Sequence, residues 1–207
     1  MNKALVIIPT YNEVENIQKI IELTLRVEDF NILVVDDSSP DGTIDVVKGL
    51  VENHPNRIFY VERKSKEGLG KAYIHGFNWA IENKYDFIFE MDADLSHDPK
   101  ELAPMLSYLR EDKDMVIGSR YIKGINVVNW PMSRILLSYL ASIYVRWTTF
   151  MPIKDPTAGF VGYRRTALEA LNLEKIKFVG YAFQIEMKFK LWKRGFNCVE
   201  HPIVFTN

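Results

Sequence analysis

Cysteine is almost missing from this sequence. Cys198 is the sole one in 207 residues, which excludes an intrachain disulfide and any multi-cysteine metal knuckle. It reads as a small buried apolar side chain and fits a reducing compartment. No sign of charge dominates either: 26 Lys and Arg stand against 27 Asp and Glu, so no global field points to nucleic acid as a partner. Long apolar runs are absent as well. Ala4-Leu5-Val6-Ile7-Ile8 is too short for the apolar core of a secretory leader and reads as a strand. Ile135 to Val145, bounded by Arg134 and Arg146 and broken by Ser138, Tyr139 and Ser142, falls short of a bilayer span. Neither an internal repeat nor a low-complexity linker breaks the chain, so one domain over residues 1–207 is expected, and a 47% hydrophobic content is enough for one substantial core.

What is present is alternation. Short β-branched runs and helical patterns succeed one another through the first half, the signature of βαβ units around a mostly parallel, Rossmann-like α/β sheet flanked by helices. Strands are expected at Lys3–Ile8, Asn31–Val35, Arg57–Glu62, Phe87–Met91 and Met115–Gly118. Helices are expected at Glu13–Leu25 with Asn12 as its cap, Ile44–Glu52, Gly70 to Glu82, and from Pro99 onward. In the second half a helix from Pro131 to Thr148 puts Arg134 and Ser138 on one face. Thr157–Val161 reads as a strand, Arg165–Leu171 and Phe183–Lys193 as helices, and Asn197–Phe205 as a strand that Pro202 confines to an edge or a break. The polar segments Lys64–Gly68 and Lys123–Pro131 are the expected mobile loops.

Ligands of open α/β sheets collect beyond the carboxyl ends of the strands, where both Asp36-Asp37 and Asp92-Ala93-Asp94 are expected to emerge. Two carboxylates one residue apart, after the buried-looking run Tyr85–Met91, are hard oxygen ligands suited to Mg²⁺ or Mn²⁺ on a diphosphate. The alternative is a pair of carboxylates capping the next helix. In the denser acidic loop, Asp37 is assigned to nucleotide recognition and Asp41-Gly42 to a tight turn, with a second metal site as the other option. Gly68-Leu69-Gly70-Lys71-Ala72 lacks the spacing of a Walker loop and the first-strand position of a dinucleotide fingerprint, which leaves an ATPase or dehydrogenase reading unsupported.

Taken in order, Pro9-Thr10-Tyr11-Asn12-Glu13, Asp36-Asp37-Ser38-Ser39-Pro40-Asp41-Gly42-Thr43, Gly68-Leu69-Gly70-Lys71-Ala72-Tyr73 and Asp92-Ala93-Asp94-Leu95-Ser96-His97 resemble family 2 glycosyltransferases. Within them they resemble dolichyl-phosphate or polyprenol-phosphate mannose synthases. The resemblance continues through Gly118-Ser119-Arg120-Tyr121 and Asp155-Pro156-Thr157-Ala158-Gly159-Phe160 to Gly180-Tyr181-Ala182-Phe183-Gln184-Ile185-Glu186.

It implies a GT-A fold, Mg²⁺ or Mn²⁺, a GDP-mannose donor and a polyprenyl monophosphate acceptor. Residues 1–118 would form the nucleotide-sugar half and 119–207 the acceptor half. Pro9, Tyr11 and Glu13, completed by Val35 and Asp37, would line the guanosine site. Asp92 and Asp94, with Ala93 between them, would hold metal and diphosphate; Arg120 would contact phosphate and share the catalytic role with the two aspartates; Arg134 and Ser138 would receive the acceptor phosphate. The expected reaction inverts the anomeric centre, and an acceptor arriving as an ionised phosphate needs no protein base. For a hydroxyl acceptor Asp155 is the candidate base. Two departures from the family pattern stand out: Ser96 occupies a position where many relatives carry Gln, and the pattern continues past Asn207 into a segment of Arg and Lys that holds donor phosphates, so a C-terminally truncated form is expected.

Membrane contact is expected to be peripheral, at the cytoplasmic face. Ile135, Leu136, Leu137, Tyr139, Leu140, Ile143 and Tyr144, with Trp130 and Trp147, would lie at the interface or else pack on the sheet. Lys188, Lys190, Lys193 and Arg194 would meet anionic lipid or solvent. Three other readings remain: a UDP-sugar transferase of the same family, a nucleotidyltransferase, against which Pro9–Glu13 offers no basic triphosphate grip, and a non-catalytic lipid-phosphate binding domain.

Overall fold

The computed structural model describes residues 3–27, 30–178 and 180–206; the expected domain's ends at 1, 2 and 207 lie outside them. The first strand explains the architecture. In β1 (Ala4–Thr10) all seven residues are buried, as a strand covered on both faces must be. Its alternate side chains enter two separate cores. Leu5 and Ile7 join Tyr73, Phe77, Phe183 and Met187 on one face; Ala4, Val6 and Ile8 join Ile17, Ile20, Val47, Met105 and Leu109 on the other. Each buried Leu, Ile or Phe contributes on the order of 1.5–3 kcal/mol, so the two-sided burial of β1 makes it the centre of the molecule.

The helices follow from those two cores. α1 (Ile17–Leu25), α2 (Thr43–Asn53) and α4 (Leu102–Glu111, entered through a 3-10 turn at Pro99–Glu101) cover one face. α3 (Leu69–Glu82), α6 (Arg165–Ala170) and α7 (Tyr181–Lys193) cover the other. Between them lies a seven-stranded sheet in the order β3-β2-β1-β4-β7-β5-β8, with β2 at Phe30–Asp36, β3 at Ile58–Glu62, β4 at Phe87–Glu90, β5 at Met115–Ser119, β7 at Val161–Arg164 and β8 at Cys198–Pro202. All neighbours run parallel except β7, which is antiparallel to both β4 and β5. A second, two-stranded ribbon pairs β6 (Val127–Val128) with β9 (Phe205–Thr206).

The expected mostly parallel sheet is therefore present, as a mixed sheet with one reversed strand. Four local expectations are corrected. Asn12 does not cap α1: it takes a left-handed conformation with φ 62°, its N–H donates to Ser39 Oγ, and α1 begins only at Ile17. Thr157–Phe160 is loop, and strand β7 starts at Val161. Lys188 is fully buried in α7 and cannot face lipid or solvent, while Lys190 is paired with Glu186. Trp130 precedes α5 (Met132–Thr149) and lines interior cavities instead of lying at the surface of that helix. Pro202 does end the edge strand β8, where its missing N–H costs no ladder bond.

The reversed strand depends on one glycine. Gly162 pairs with Phe89 of β4, and a Cβ there would stand 2.4 Å from the Phe89 ring. Gly162→Ala should therefore lower stability by about 1–3 kcal/mol. Gly49→Ala, in α2 with open space around it, should raise it by about 0.4–1 kcal/mol. Urea denaturation midpoints of the two variants check this; equal midpoints would contradict the packing of β7 on Phe89.

Candidate active site

The parallel strands deliver the acidic segments side by side. Thr10 ends β1 opposite Asp36 at the end of β2, Asp37 N–H donates to Thr10 O at 3.1 Å, and Met91 N–H donates to Ile7 O at 3.2 Å. Asp92-Ala93-Asp94 thus leaves β4 beside the ends of β1 and β2. Asp36 itself is spent on the turn: its carboxylate accepts from Thr10 Oγ1 and from the Ser39 hydroxyl and N–H. Asp41 likewise accepts from Thr43 and from Val14 N–H, the turn role expected of it.

A cavity of about 270 Å³ opens here, lined by Pro9, Thr10, Tyr11, Glu13, Asp37, Lys66, Gly68, Leu69, Ala72, Asp92, Ala93 and Asp94. It brings together every residue expected at the nucleotide except Val35 and Arg120. Val35 is wholly buried in the core and does not line the cavity. Asp37 is held by Arg63, Nη1 to Oδ1 at 2.6 Å, both side chains nearly enclosed. Burial pushes the Asp37 carboxyl above the usual range and Arg63 pulls it back. Lys66 Nζ lies 3.8 Å from the centroid of the Tyr11 ring, within cation–π range.

A second cavity, about 220 Å³, shares Asp92 and Asp94 with the first and adds His97, Arg120, Trp130, Arg134, Thr157, Gly159, Tyr181 and Gln184. The Asp92 side chain is 33% exposed, lining both cavities, and otherwise closely surrounded. Burial raises its pKa, and the neighbouring Asp94 adds to this against the pull of His97. Tyr73 Oη donates to Asp92 Oδ1 at 3.1 Å, and Ser96 N–H to Asp94 Oδ1 at 3.0 Å. His97 is buried between Phe160 and Phe205, and burial pushes its pKa down against the attraction of the two aspartates. Its Nδ1 accepts from Asp92 N–H at 3.4 Å, which assigns a neutral ring protonated on Nε2. Two crowded carboxylates are the oxygen set that a divalent cation takes when substrate phosphate and water complete its shell. Among the described residues no cluster of three His, Cys, Asp or Glu could hold a metal unaided.

Arg120 is almost enclosed. Its Nε donates to Asp155 Oδ2 at 2.8 Å, and Nη2 to Asp155 Oδ1 at 2.6 Å and to Thr157 Oγ1 at 2.9 Å. Asp155 also accepts from Arg120 N–H and is fully buried. This corrects its candidacy as a base: the carboxylate is committed to orienting Arg120, as a bidentate pair. Beneath the cavity, buried Lys188 donates to Ala158 O and Gln184 Oε1, while Gln184 Nε2 and Tyr163 Oη donate to buried Glu90. Burial raises Glu90 and lowers Lys188, and each ion pulls the other back.

A third cavity, about 550 Å³, opens from the second between α5 and α7. Leu137, Ala141, Val145, Ala182 and Ile185 line it, with Arg134 and Ser138 on its wall. Tyr121 Oη donates to Ser138 Oγ at 2.8 Å, which leaves the serine hydrogen to donate elsewhere. The sequence did not reveal His97, Trp130, Tyr181, Gln184 or Lys66 as lining residues. His97, Tyr181 and Gln184 do carry a signal, their places within the motifs of the family resemblance.

The chain matches the family model described as Glycosyl transferase family 2 over residues 5–171. It is 44% identical to the polyprenol monophosphomannose synthase of Mycolicibacterium smegmatis, over 99% of this chain and 77% of that protein. To the undecaprenyl-phosphate mannosyltransferase of Micrococcus luteus it is 43% identical, over 99% of this chain and 84% of the relative. The fold is similar to a mannosyltransferase from Pyrobaculum calidifontis solved with GDP-Man and Mn²⁺, with a TM-score of 0.67, 20% identity and coverage of 99% of this chain and 56% of the other. The mixed, helix-flanked sheet is thus a GT-A-like one.

The crowding at Asp92 has a sign. A carboxyl whose folded pKa lies above its ordinary value of 3.8 leaves stability intact below that value and takes it away as pH rises through the folded pKa. Asp92→Asn should therefore make the ligand-free protein more stable than wild type at mildly alkaline pH, by an amount moderated because part of the side chain meets solvent. The gap should close as the pH falls towards 3.8. Thermal unfolding of both proteins across pH decides it; a variant less stable at alkaline pH would contradict the burial of an uncompensated charge.

Proposed function

The chain belongs to glycosyl transferase family 2 and is a glycosyltransferase, and from that premise we propose that it transfers mannose from GDP-mannose to a polyprenyl monophosphate, with inversion and with Mg²⁺ or Mn²⁺. The observation that carries this reading is the connection of a carboxylate-bearing cavity to a larger and more apolar one through a mouth that holds Arg120 and Arg134. A nucleotide sugar suits the first, and a phosphate carrying a hydrocarbon chain suits the second. The names of the two relatives point the same way.

In this account the nucleoside lies against Pro9, Tyr11, Glu13 and Asp37. Asp37, oriented by Arg63, offers its second oxygen to base or ribose donors. Asp92 and Asp94 would hold the cation, which when bound neutralises charge on the leaving diphosphate. Arg120, fixed by Asp155 through Nε and Nη2, presents a preorganised cation to the same charge, so little reorganisation is needed as it develops.

Arg134 and Ser138 share one face of α5 at the mouth of the apolar cavity and position the acceptor phosphate. With a second pKa near ~6 that phosphate arrives ionised. One of its oxygens forms the new bond to the anomeric carbon as the bond to the β-phosphate oxygen breaks, and GDP leaves with the electron pair. The protein supplies no base, which agrees with the commitment of Asp155 to Arg120.

The surface around the apolar cavity supports peripheral membrane contact. Only Ser142 of α5 is buried, and Met132, Leu137, Tyr144, Trp147 and Phe150 are 65–82% exposed. Among the described residues no helix is long and apolar enough to cross a membrane. An exposed apolar helix beside a hydrocarbon-lined cavity suits an enzyme that takes its acceptor from a lipid surface.

A panel of GDP- and UDP-sugars offered with polyprenyl phosphate, Mn²⁺ or EDTA tests the reading. Metal-dependent transfer from GDP-mannose is expected, and a preference for a UDP-sugar would move the donor assignment. In the same assay Arg134→Ala should weaken acceptor use by roughly ten- to a hundredfold, the size of a lost charge-assisted hydrogen bond, with donor KM unchanged. Lysine should restore part of the loss. A donor KM rising as steeply as the acceptor's would remove Arg134 and Ser138 from the acceptor site.

A further inference from the structure

Five residues, Arg120, Trp130, Arg134, Thr157 and Tyr181, line both the carboxylate-bearing cavity and the apolar cavity, and so form the throat between them. Trp130 packs against both arginines of that throat. The Arg134 guanidinium carbon lies 4.0 Å from its ring centroid and that of Arg120 5.6 Å away. Phe205 packs on the ring edge-on at 5.3 Å. Both cations are within the range at which an indole face attracts them.

The indole nitrogen adds a second, independent observation. Trp130 Nε1 is buried and has no hydrogen-bond partner. Buried tryptophan N–H groups are ordinarily matched, because an unmatched buried donor costs free energy. A buried, unmatched donor beside two cations, in a wall shared by two cavities, suits an anionic oxygen, which the throat of the ligand-free protein must widen slightly to admit to it.

We infer that Trp130 is an acceptor-positioning residue: its ring holds Arg134 and Arg120 in place, and its N–H donates to an oxygen of the phosphate that enters the throat. This rests on the lipid-phosphate reading above. The choice of an indole has a chemical reason. It adds a hydrogen bond without a third positive charge between two arginines, and unlike an ammonium or imidazolium it does not give up its proton to the phosphate oxygen that must attack. Hydrogen bonds to an ionised acceptor are also the stronger class.

The test compares Trp130→Phe, which keeps an aromatic face and loses the N–H, with Trp130→Leu, which loses both. Calorimetry with a short-chain polyprenyl phosphate and no donor should show about tenfold weaker binding for Trp130→Phe and a larger loss for Trp130→Leu. Acceptor KM should rise in the same order while donor KM holds. In wild-type protein labelled with ¹⁵N-tryptophan, the Trp130 indole resonance should shift when the lipid phosphate is added, a readout that a merely structural role would not move and that needs no stable Trp130→Leu. Wild-type affinity in Trp130→Phe, with an unshifted indole, would overturn the role of Trp130 and leave the enzyme's function standing. A selective rise in donor KM would overturn it too, by assigning the N–H to the sugar nucleotide. Failure of wild-type protein to bind the lipid phosphate at all would sink both readings.

Discussion

The ion pair between Arg120 and Asp155 is the constraint on which the site depends. Asp155 accepts three hydrogen bonds from Arg120, one from its backbone and two from its guanidinium, and its own N–H is held by Glu200 of β8. Asp155 thereby ties the end of β5 to the loop before β7 through its carboxylate, and that loop to the edge strand through its N–H. Burying such a pair brings little net stability, and removing one partner costs about 3–5 kcal/mol because the other charge is stranded. What the pair secures is direction: Nε and Nη2 of the guanidinium are fixed by Asp155 and Thr157, while the side chain lines both cavities.

The rest of the chemistry follows from where that throat lies. Upstream, Asp92 and Asp94 crowd negative charge at the carboxyl end of β4, an arrangement unfavourable to the empty protein and favourable to a bound cation with its diphosphate. Downstream, α5 and α7 leave an apolar cavity and an exposed apolar helix. The arginines stand between the two. In the proposed reaction, charge that the ligand-free protein carries uncomfortably would become binding energy spent where negative charge develops.

Much of this was legible in the sequence, for a physical reason. β1, β2, β4 and β5 announce themselves because a strand buried on both faces must be a nearly continuous apolar run, and the acidic segments fall at the carboxyl ends of β2 and β4 because the sheet is wound that way. Arg134 and Ser138 could be paired because helical spacing puts positions four apart on one face. The direction of β7 could not be read: side-chain alternation is the same for parallel and antiparallel strands, and the requirement for Gly162 comes from Phe89, 73 positions away in the chain. Lys188 reads as a surface residue because a helical lysine is ordinarily solvated, and nothing local announces Gln184, Ala158 and Glu90 as its surroundings. Asp155 reads as a candidate base in the sequence because its partner is 35 residues distant. Trp130 went unrecognised because a tryptophan before an amphipathic helix looks like one more interfacial ring.

The central claim is that donor and acceptor occupy separate cavities meeting at Arg120, Trp130 and Arg134. A structure determined with Mn²⁺, GDP and a short-chain polyprenyl phosphate tests it most directly. The account predicts the diphosphate and metal at Asp92 and Asp94, the lipid phosphate in the throat against Arg134 and Ser138, its chain running between α5 and α7, and room for one sugar between the two phosphates. A lipid phosphate lodged at Asp92 and Asp94, or bound outside the throat with the apolar cavity unfilled, would contradict it.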